Sequence, residues 1–81
     1  MTNPKQRAIE GLNMIETAIL EYIGSSTDGV SNSDIAKDLG LESDISGKHR
    51  NYLSWSILGN LLNKGLVQKV GHGRSSRYLT Q

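Results

Sequence analysis

The residues of this chain best suited to chemistry are basic and polar side chains gathered in its second half. All eight acidic residues lie before residue 48, and no Asp or Glu follows. The basic residues of the second half are Lys48, Arg50, Lys64, Lys69, Arg74 and Arg77. The net charge of +1 therefore conceals an acidic first half and a basic second half. Clustered cations of this kind attract phosphate groups.

The residue types of this chain give little indication of a catalytic site or a metal site. The chain has two histidines and no cysteine, so neither a typical zinc site nor a disulfide framework is expected. His49 and His72 both follow the last acid, which disfavours a Ser–His–acid arrangement. The stretch GHGRSS lacks the lysine and the following helix of a phosphate-binding P-loop. We therefore expect no enzyme, no cofactor and no metal site.

The hydrophobic pattern of the first quarter predicts a helix over about residues 5–23. Its apolar residues recur at steps of three and four, which places them on one helical face. They are Ile9, Leu12, Ile15, Ile19, Leu20 and Ile23. The glutamates of this helix lie mainly off that stripe and are expected to face water. They are Glu10, Glu16 and Glu21.

Helix signals also frame a second, shorter helix over about residues 32–39. Ser31 and Asp34 are spaced as in a capping box, which marks a helix start. Gly40 stands where a glycine commonly ends a helix in the left-handed conformation. A short helix, a glycine turn and a further helix form the helix-turn-helix pattern.

A third helix is predicted over about residues 47–64, ending before Gly65. Its core-facing sector consists of large aliphatic residues, namely Leu53, Ile57, Leu58, Leu61 and Leu62. Trp55 lies at the edge of this sector, and packing is the preferred interpretation for it. The opposite face carries basic, amide, hydroxyl and aromatic groups, namely Lys48, His49, Tyr52, Ser56, Asn60 and Asn63.

The last fifteen residues predict a β-hairpin over residues 66–80. The segments LVQKV and SRYLT have strand composition, and GHGRS joins them through a glycine-rich, basic tip. The alternation does not decide whether Tyr78 or Leu79 points inward. The chain length indicates one domain, residues 1–81. The apolar runs are too short for a membrane span, so no membrane partner and a cytoplasmic location are expected.

Three stretches together resemble a winged helix-turn-helix domain. They are SNSDIAKDLGL, LSWSILGNLLNKGLVQKV and GHGRSSRYLT, and with the first helix they cover nearly the whole chain. The resemblance implies an α+β, mostly α fold of three helices followed by a two-stranded β-hairpin wing. Prokaryotic transcriptional regulators use this layout widely, and similar modules are attached to larger DNA-processing enzymes.

The resemblance also implies double-stranded DNA as the partner, with helix 3 in the major groove and the wing on the backbone or minor groove. The implied DNA-binding residues of helix 3 are Lys48, His49, Arg50, Tyr52, Ser56 and Asn60. Those of the wing are His72, Arg74, Ser75 and Arg77. A small transcriptional regulator is the preferred hypothesis. The alternatives are a protein–protein interaction module and the DNA-reading accessory domain of a larger protein.

The modest number of cations suggests that DNA binding is assisted by additional contacts. A homodimer or a tethered protein partner would supply them. The apolar first helix is the expected interface.

Overall fold

The computed structural model describes residues 3–42 and 51–81, with Arg74 described by its backbone alone. Within these ranges the elements are helices α1 (Pro4–Gly24), α2 (Asn32–Asp38) and α3 (Tyr52–Asn63) and strands β1 (Val67–Val70) and β2 (Arg77–Thr80). A short 3₁₀ turn, Gly73–Ser75, lies between the strands. The expected α+β, mostly helical class is confirmed for the described residues, which form three helices followed by an antiparallel hairpin.

Local hydrogen bonds at the N-termini explain where α1 and α2 begin. The side chain of Asn3 accepts from the backbone N–H of Gln6 at 2.8 Å. The hydroxyl of Ser31 accepts from the backbone N–H of Asp34 at 3.1 Å. Each cap satisfies a backbone donor that the first helical turn leaves unpaired. The predicted start of the second helix is confirmed.

Glycines end α2 and α3 in the same way. Gly40 has φ +69° and Gly65 has φ +73°, values that residues with a Cβ adopt only with strain. The N–H of Leu41 donates to Ala36 at 2.7 Å, and that of Leu66 donates to Leu61 at 3.0 Å. These are the six-residue hydrogen bonds of Schellman motifs. Both predicted helix ends are confirmed.

Helix α3 begins later than its periodicity predicted. Asn51 is its N-cap, with φ −105° and ψ 23° outside helical values, and Tyr52 is the first helical residue. The predicted start near residue 47 is therefore too early for α3, and residues 43–50 lie outside the described ranges. Contacts of Asn51 with α2, described below, account for the late start.

One hydrophobic core joins the three helices to the hairpin. Its buried members are Ile19, Ile23, Val30, Ile35, Ile57, Leu58, Leu61, Val67 and Tyr78. Val67 pairs with Thr80 and Lys69 with Tyr78 in the hairpin register. Val30 exchanges backbone hydrogen bonds of 3.1 and 2.8 Å with Tyr78, so the α1–α2 connection holds β2 against the core. Tyr78 therefore points inward, whereas Leu79 is only half-buried.

Two burial predictions from helical periodicity are wrong, those for Leu53 and Glu16. Leu53 was expected in the core but is 41% exposed. The stripe of α1 also extends beyond the core, because Ile9 and Leu12 are 50% and 40% exposed. Glu16 was expected to face water but is buried against Lys64. Periodicity predicts which face of a helix is apolar, whereas burial also depends on how far neighbouring elements extend.

Candidate functional site

A network of polar side chains fixes the start of α3 against the start of α2. The hydroxyl of Ser54, which has no exposed surface, donates to Asn32 Oδ1 at 2.5 Å and lies 3.1 Å from the carbonyl oxygen of Asn51. Asn32 Nδ2 donates to that same carbonyl at 3.2 Å, and Asn51 Nδ2 donates to Ser33 Oγ at 3.1 Å. Directional bonds of this kind set the orientation of α3 more narrowly than apolar packing does.

The outer face of α3 is exposed as the sequence predicted. Tyr52, Ser56 and Asn60 all present solvent-accessible side chains on this helix. Hydroxyl and amide groups at such positions can donate to and accept from base edges. The other three candidates near the start of the predicted helix lie outside the described residues. They are Lys48, His49 and Arg50.

A groove lies between α3 and the hairpin and consists of two adjoining cavities of ≈ 300 and ≈ 370 Å³. Trp55, Lys69 and Tyr78 line both cavities. The first cavity also reaches Ser76 and the first residues of α2, and the second runs along Ser56 and Asn60 on α3. The hairpin and the outer face of α3 therefore share one concave surface, which we call the α3–hairpin groove.

Trp55 belongs to this groove and not to the core. Its side chain is 53% exposed, so the preference for a packing role is wrong. Its ring centroid lies 6.2 Å from that of Tyr52, with the two planes tilted by 39°. An exposed indole in a concave surface can stack on a planar ligand.

Among the described residues that line the groove, Lys69 is the cation, and it was not among the DNA-binding residues predicted from the sequence. It stands opposite Tyr78 in the hairpin and two residues after the buried Val67, so all three share one face of the sheet. A lysine on the face that carries Val67 and Tyr78 was a signal in the sequence that this end of the strand lies beyond the core. Burial raises the pKa of the neighbouring Tyr78, which keeps its hydroxyl protonated.

The wing candidates occupy different positions around the tip. His72 is exposed, and its carbonyl accepts from the Ser75 hydroxyl at 2.8 Å, so that hydroxyl proton stabilises the turn. Arg77 is exposed on β2, and its Nη1 donates to the carbonyl of Gly29 at 3.2 Å. Arg74 has its backbone in the 3₁₀ turn at the tip. The structure thus groups the four candidates on one hairpin, while Arg77 also braces the α1–α2 connection.

A buried hydroxyl completes the first cavity. Ser76 is 8% exposed, and its Oγ has no hydrogen-bond partner among the described residues. Most buried polar atoms in proteins are paired, so the unpaired Ser76 hydroxyl is an exception to the usual pattern. Ser76 was not among the residues predicted from the sequence, because its burial depends on the tertiary structure.

Two contacts hold charged side chains outside the α3–hairpin groove. Lys64 Nζ lies 3.0 and 3.1 Å from the two carboxylate oxygens of the buried Glu16, so this cation serves the α1–α3 contact. On α2, Asp38 accepts a hydrogen bond from the Tyr22 hydroxyl of α1. That bond, followed by desolvation and the nearby charges of Asp38 and Asp34, raises the pKa of Tyr22 to about 12. These α2 acids therefore face α1, while Asn32 faces α3.

Among residues 3–42 and 51–81, no cluster of His, Cys, Asp and Glu is suited to hold a metal ion. No helix within the same ranges has the length and apolar character to cross a membrane.

Comparisons with known proteins add no identification to this geometry. No family model matches the chain, and neither a curated protein nor a solved structure shows significant similarity to it.

Proposed function

We propose that this chain binds double-stranded DNA through α3 and the hairpin, as a small winged-helix transcriptional regulator. One observation carries the proposal. Ser56 and Asn60 of α3 and Lys69 of the hairpin line a common groove, and none of its described lining residues is acidic. The element order, three helices before a hairpin, is the order that the resemblance to winged helices implies. A helix beside an exposed hairpin suits insertion into the major groove with the hairpin on the flanking backbone.

The residues of this face divide into two chemical roles. Lys69 and the basic hairpin tip supply cations for phosphates, which position a protein on DNA without reading its sequence. Ser56 and Asn60 supply hydroxyl and amide groups for base edges, and an amide side chain can make two hydrogen bonds to adenine. Replacing Asn60 by Ala should therefore change the preferred DNA sequence more than the affinity for random DNA.

The proposal is tested by fluorescence anisotropy of a labelled mixed-sequence duplex over a series of salt concentrations. Replacing Lys69 by Ala removes one phosphate contact, and the log–log salt slope should become less steep by about 0.9. Lys64→Ala is the matched control, because it changes the net charge equally but removes a cation already engaged by Glu16. Its salt slope should remain that of the wild type.

Two results would contradict the proposal. Absence of duplex binding at low salt would exclude it, because attraction to phosphates is strongest there. Equal changes of the salt slope in Lys69→Ala and Lys64→Ala would show that binding depends only on net charge. The α3–hairpin groove would then not be the DNA-binding surface. Both variants are measured well below their unfolding temperatures, since Lys64→Ala leaves a buried carboxylate without its cation.

A second copy of the chain is the protein partner that the exposed part of α1 favours. Ile9 and Leu12 continue the core-facing stripe but stand half-exposed at the N-terminal end of the helix. Packing the same stripe of two copies together would bury both residues and double the cations presented to DNA. Sedimentation equilibrium should show a dimer that Ile9→Glu dissociates. A monomer at all concentrations would leave DNA binding to the single chain.

A further inference from the structure

The α3–hairpin groove also has the dimensions of a site for a small ligand. Its two cavities, ≈ 300 and ≈ 370 Å³, lie at the lower end of the range of about 300–1,000 Å³ for small-ligand sites. Trp55 and Lys69 line both cavities and so stand where the two adjoin. A planar aromatic side chain and a cation lie at the junction of two small cavities. Together they suit a ligand that is a chain of planar groups linked by anionic groups.

The wall chemistry narrows the ligand class. The indole of Trp55 offers a stacking surface, which any nucleobase can use because every base has a π-face. The ammonium of Lys69 offers a charge for a phosphate.

We propose that the α3–hairpin groove binds two successive unpaired nucleotides of a single DNA strand, with their bases against Trp55 and the linking phosphate at Lys69. The inference rests on the proposed function only in assigning this face to nucleic acid. It goes further because bases within a duplex remain stacked on one another and reach a protein aromatic ring only when they are flipped out.

Trp55 is the single tryptophan of the chain, so its intrinsic fluorescence reports on the groove directly. The probe is oligothymidylate of about eight nucleotides, within the range of about 4–16 nucleotides typical of single-strand binding modules. Titration at low salt should quench Trp55 fluorescence saturably. Thymidine monophosphate at the same nucleotide concentration should quench much less, because it lacks the second base and the linking phosphate.

Substitutions of Trp55 separate stacking from simple charge attraction. Binding of labelled oligothymidylate, followed by anisotropy, should weaken about tenfold in Trp55→Ala and stay within about threefold of wild type in Trp55→Phe. Met14→Ala is the control, since Met14 is an exposed apolar residue on α1 outside the groove lining. Circular dichroism verifies that each variant is folded. Trp55→Ala binding as well as Met14→Ala would overturn the inference.

The outcomes also distinguish this inference from the proposed function. Duplex binding without quenching by oligothymidylate would refute the single-strand site and leave the duplex proposal intact. Quenching by oligothymidylate without duplex binding would refute the duplex proposal and leave the single-strand site intact. Equal saturable quenching by thymidine monophosphate would assign the groove to free nucleotides, and equal quenching by a duplex of the same length would assign it to paired DNA. Either of these two results overturns the proposal of an unpaired strand.

Discussion

Removal of the Ser54 hydroxyl tests whether the polar network between α2 and α3 stabilises the domain. Ser54 is fully buried, and its hydroxyl provides the hydrogen bond to Asn32 Oδ1. In Ser54→Ala the carbonyl of Asn51 keeps two other donors, Asn32 Nδ2 and the backbone N–H of Trp55. Asn32 Oδ1, by contrast, loses the donor that the described residues provide.

The expected loss of stability follows from these contacts. A typical hydrogen bond contributes about 1 kcal/mol net, and a buried acceptor left unpaired costs about 1–3 kcal/mol. Asn32 is half-buried, so water can partly replace the lost donor and the lower part of that range applies. We expect Ser54→Ala to lower the free energy of unfolding by about 1–2 kcal/mol. For a domain of this size the melting temperature should fall by about 4–16 °C.

Urea denaturation followed by circular dichroism measures this change. The midpoint should fall while the m-value stays constant, because the same surface is exposed on unfolding. Ser56→Ala is the matched control: it makes the same substitution two residues further along α3, at an exposed position. It gains the same helix propensity and should remain within about 0.5 kcal/mol of the wild type.

The comparison of these two variants shows whether the polar network between α2 and α3 stabilises the domain. Equal midpoints for Ser54→Ala and Ser56→Ala would refute the stabilising role of the network. A double-mutant cycle with Asn32→Ala adds an independent measurement, because residues in one hydrogen-bond network should show a coupling energy of about 0.5 kcal/mol or more.

Two further predictions concern the hairpin tip and the contact between α1 and α2. Gly71→Ala should destabilise the domain more than Gly73→Ala in urea denaturation. Both glycines have positive φ, a conformation that costs a residue with Cβ about 1–2 kcal/mol. Only at Gly71, however, would a Cβ also lie 2.9 Å from a backbone oxygen, that of Ser75. Equal losses would show that the tip relaxes around the added methyl group. The second prediction is that stability declines in alkali through Tyr22, whose pKa rises from 10.0 to about 12 chiefly through its hydrogen bond to Asp38. A raised pKa in the folded state stabilises the protein below pH 10, and this contribution is lost as the pH rises toward 12. Tyr22→Phe should therefore lose less stability over that interval than the wild type, and an unchanged loss would contradict the assignment.

The helix boundaries that depend on neighbouring residues could be predicted from the sequence. Ser31 marks the start of α2, and Gly40 and Gly65 the ends of α2 and α3, because capping involves residues three to five positions apart. The hairpin followed from strand composition on either side of a glycine-rich tip. The start of α3 could not be predicted in this way, because Asn51 is held by Ser33 and Asn32, which are distant in sequence.

The candidate site likewise has features that the sequence predicts and features that depend on the tertiary structure. The sequence by itself determined the polar outer face of α3, the basic hairpin tip and the separation of acidic from basic residues, since these follow from residue type and helical or strand period. Only the tertiary structure placed Trp55 and Lys69 in one groove, buried Ser54 and Ser76, and joined Lys64 to Glu16. Period specifies the direction of a side chain on its own element. The extent of the neighbouring elements decides whether that direction leads into the core, into a groove or into water.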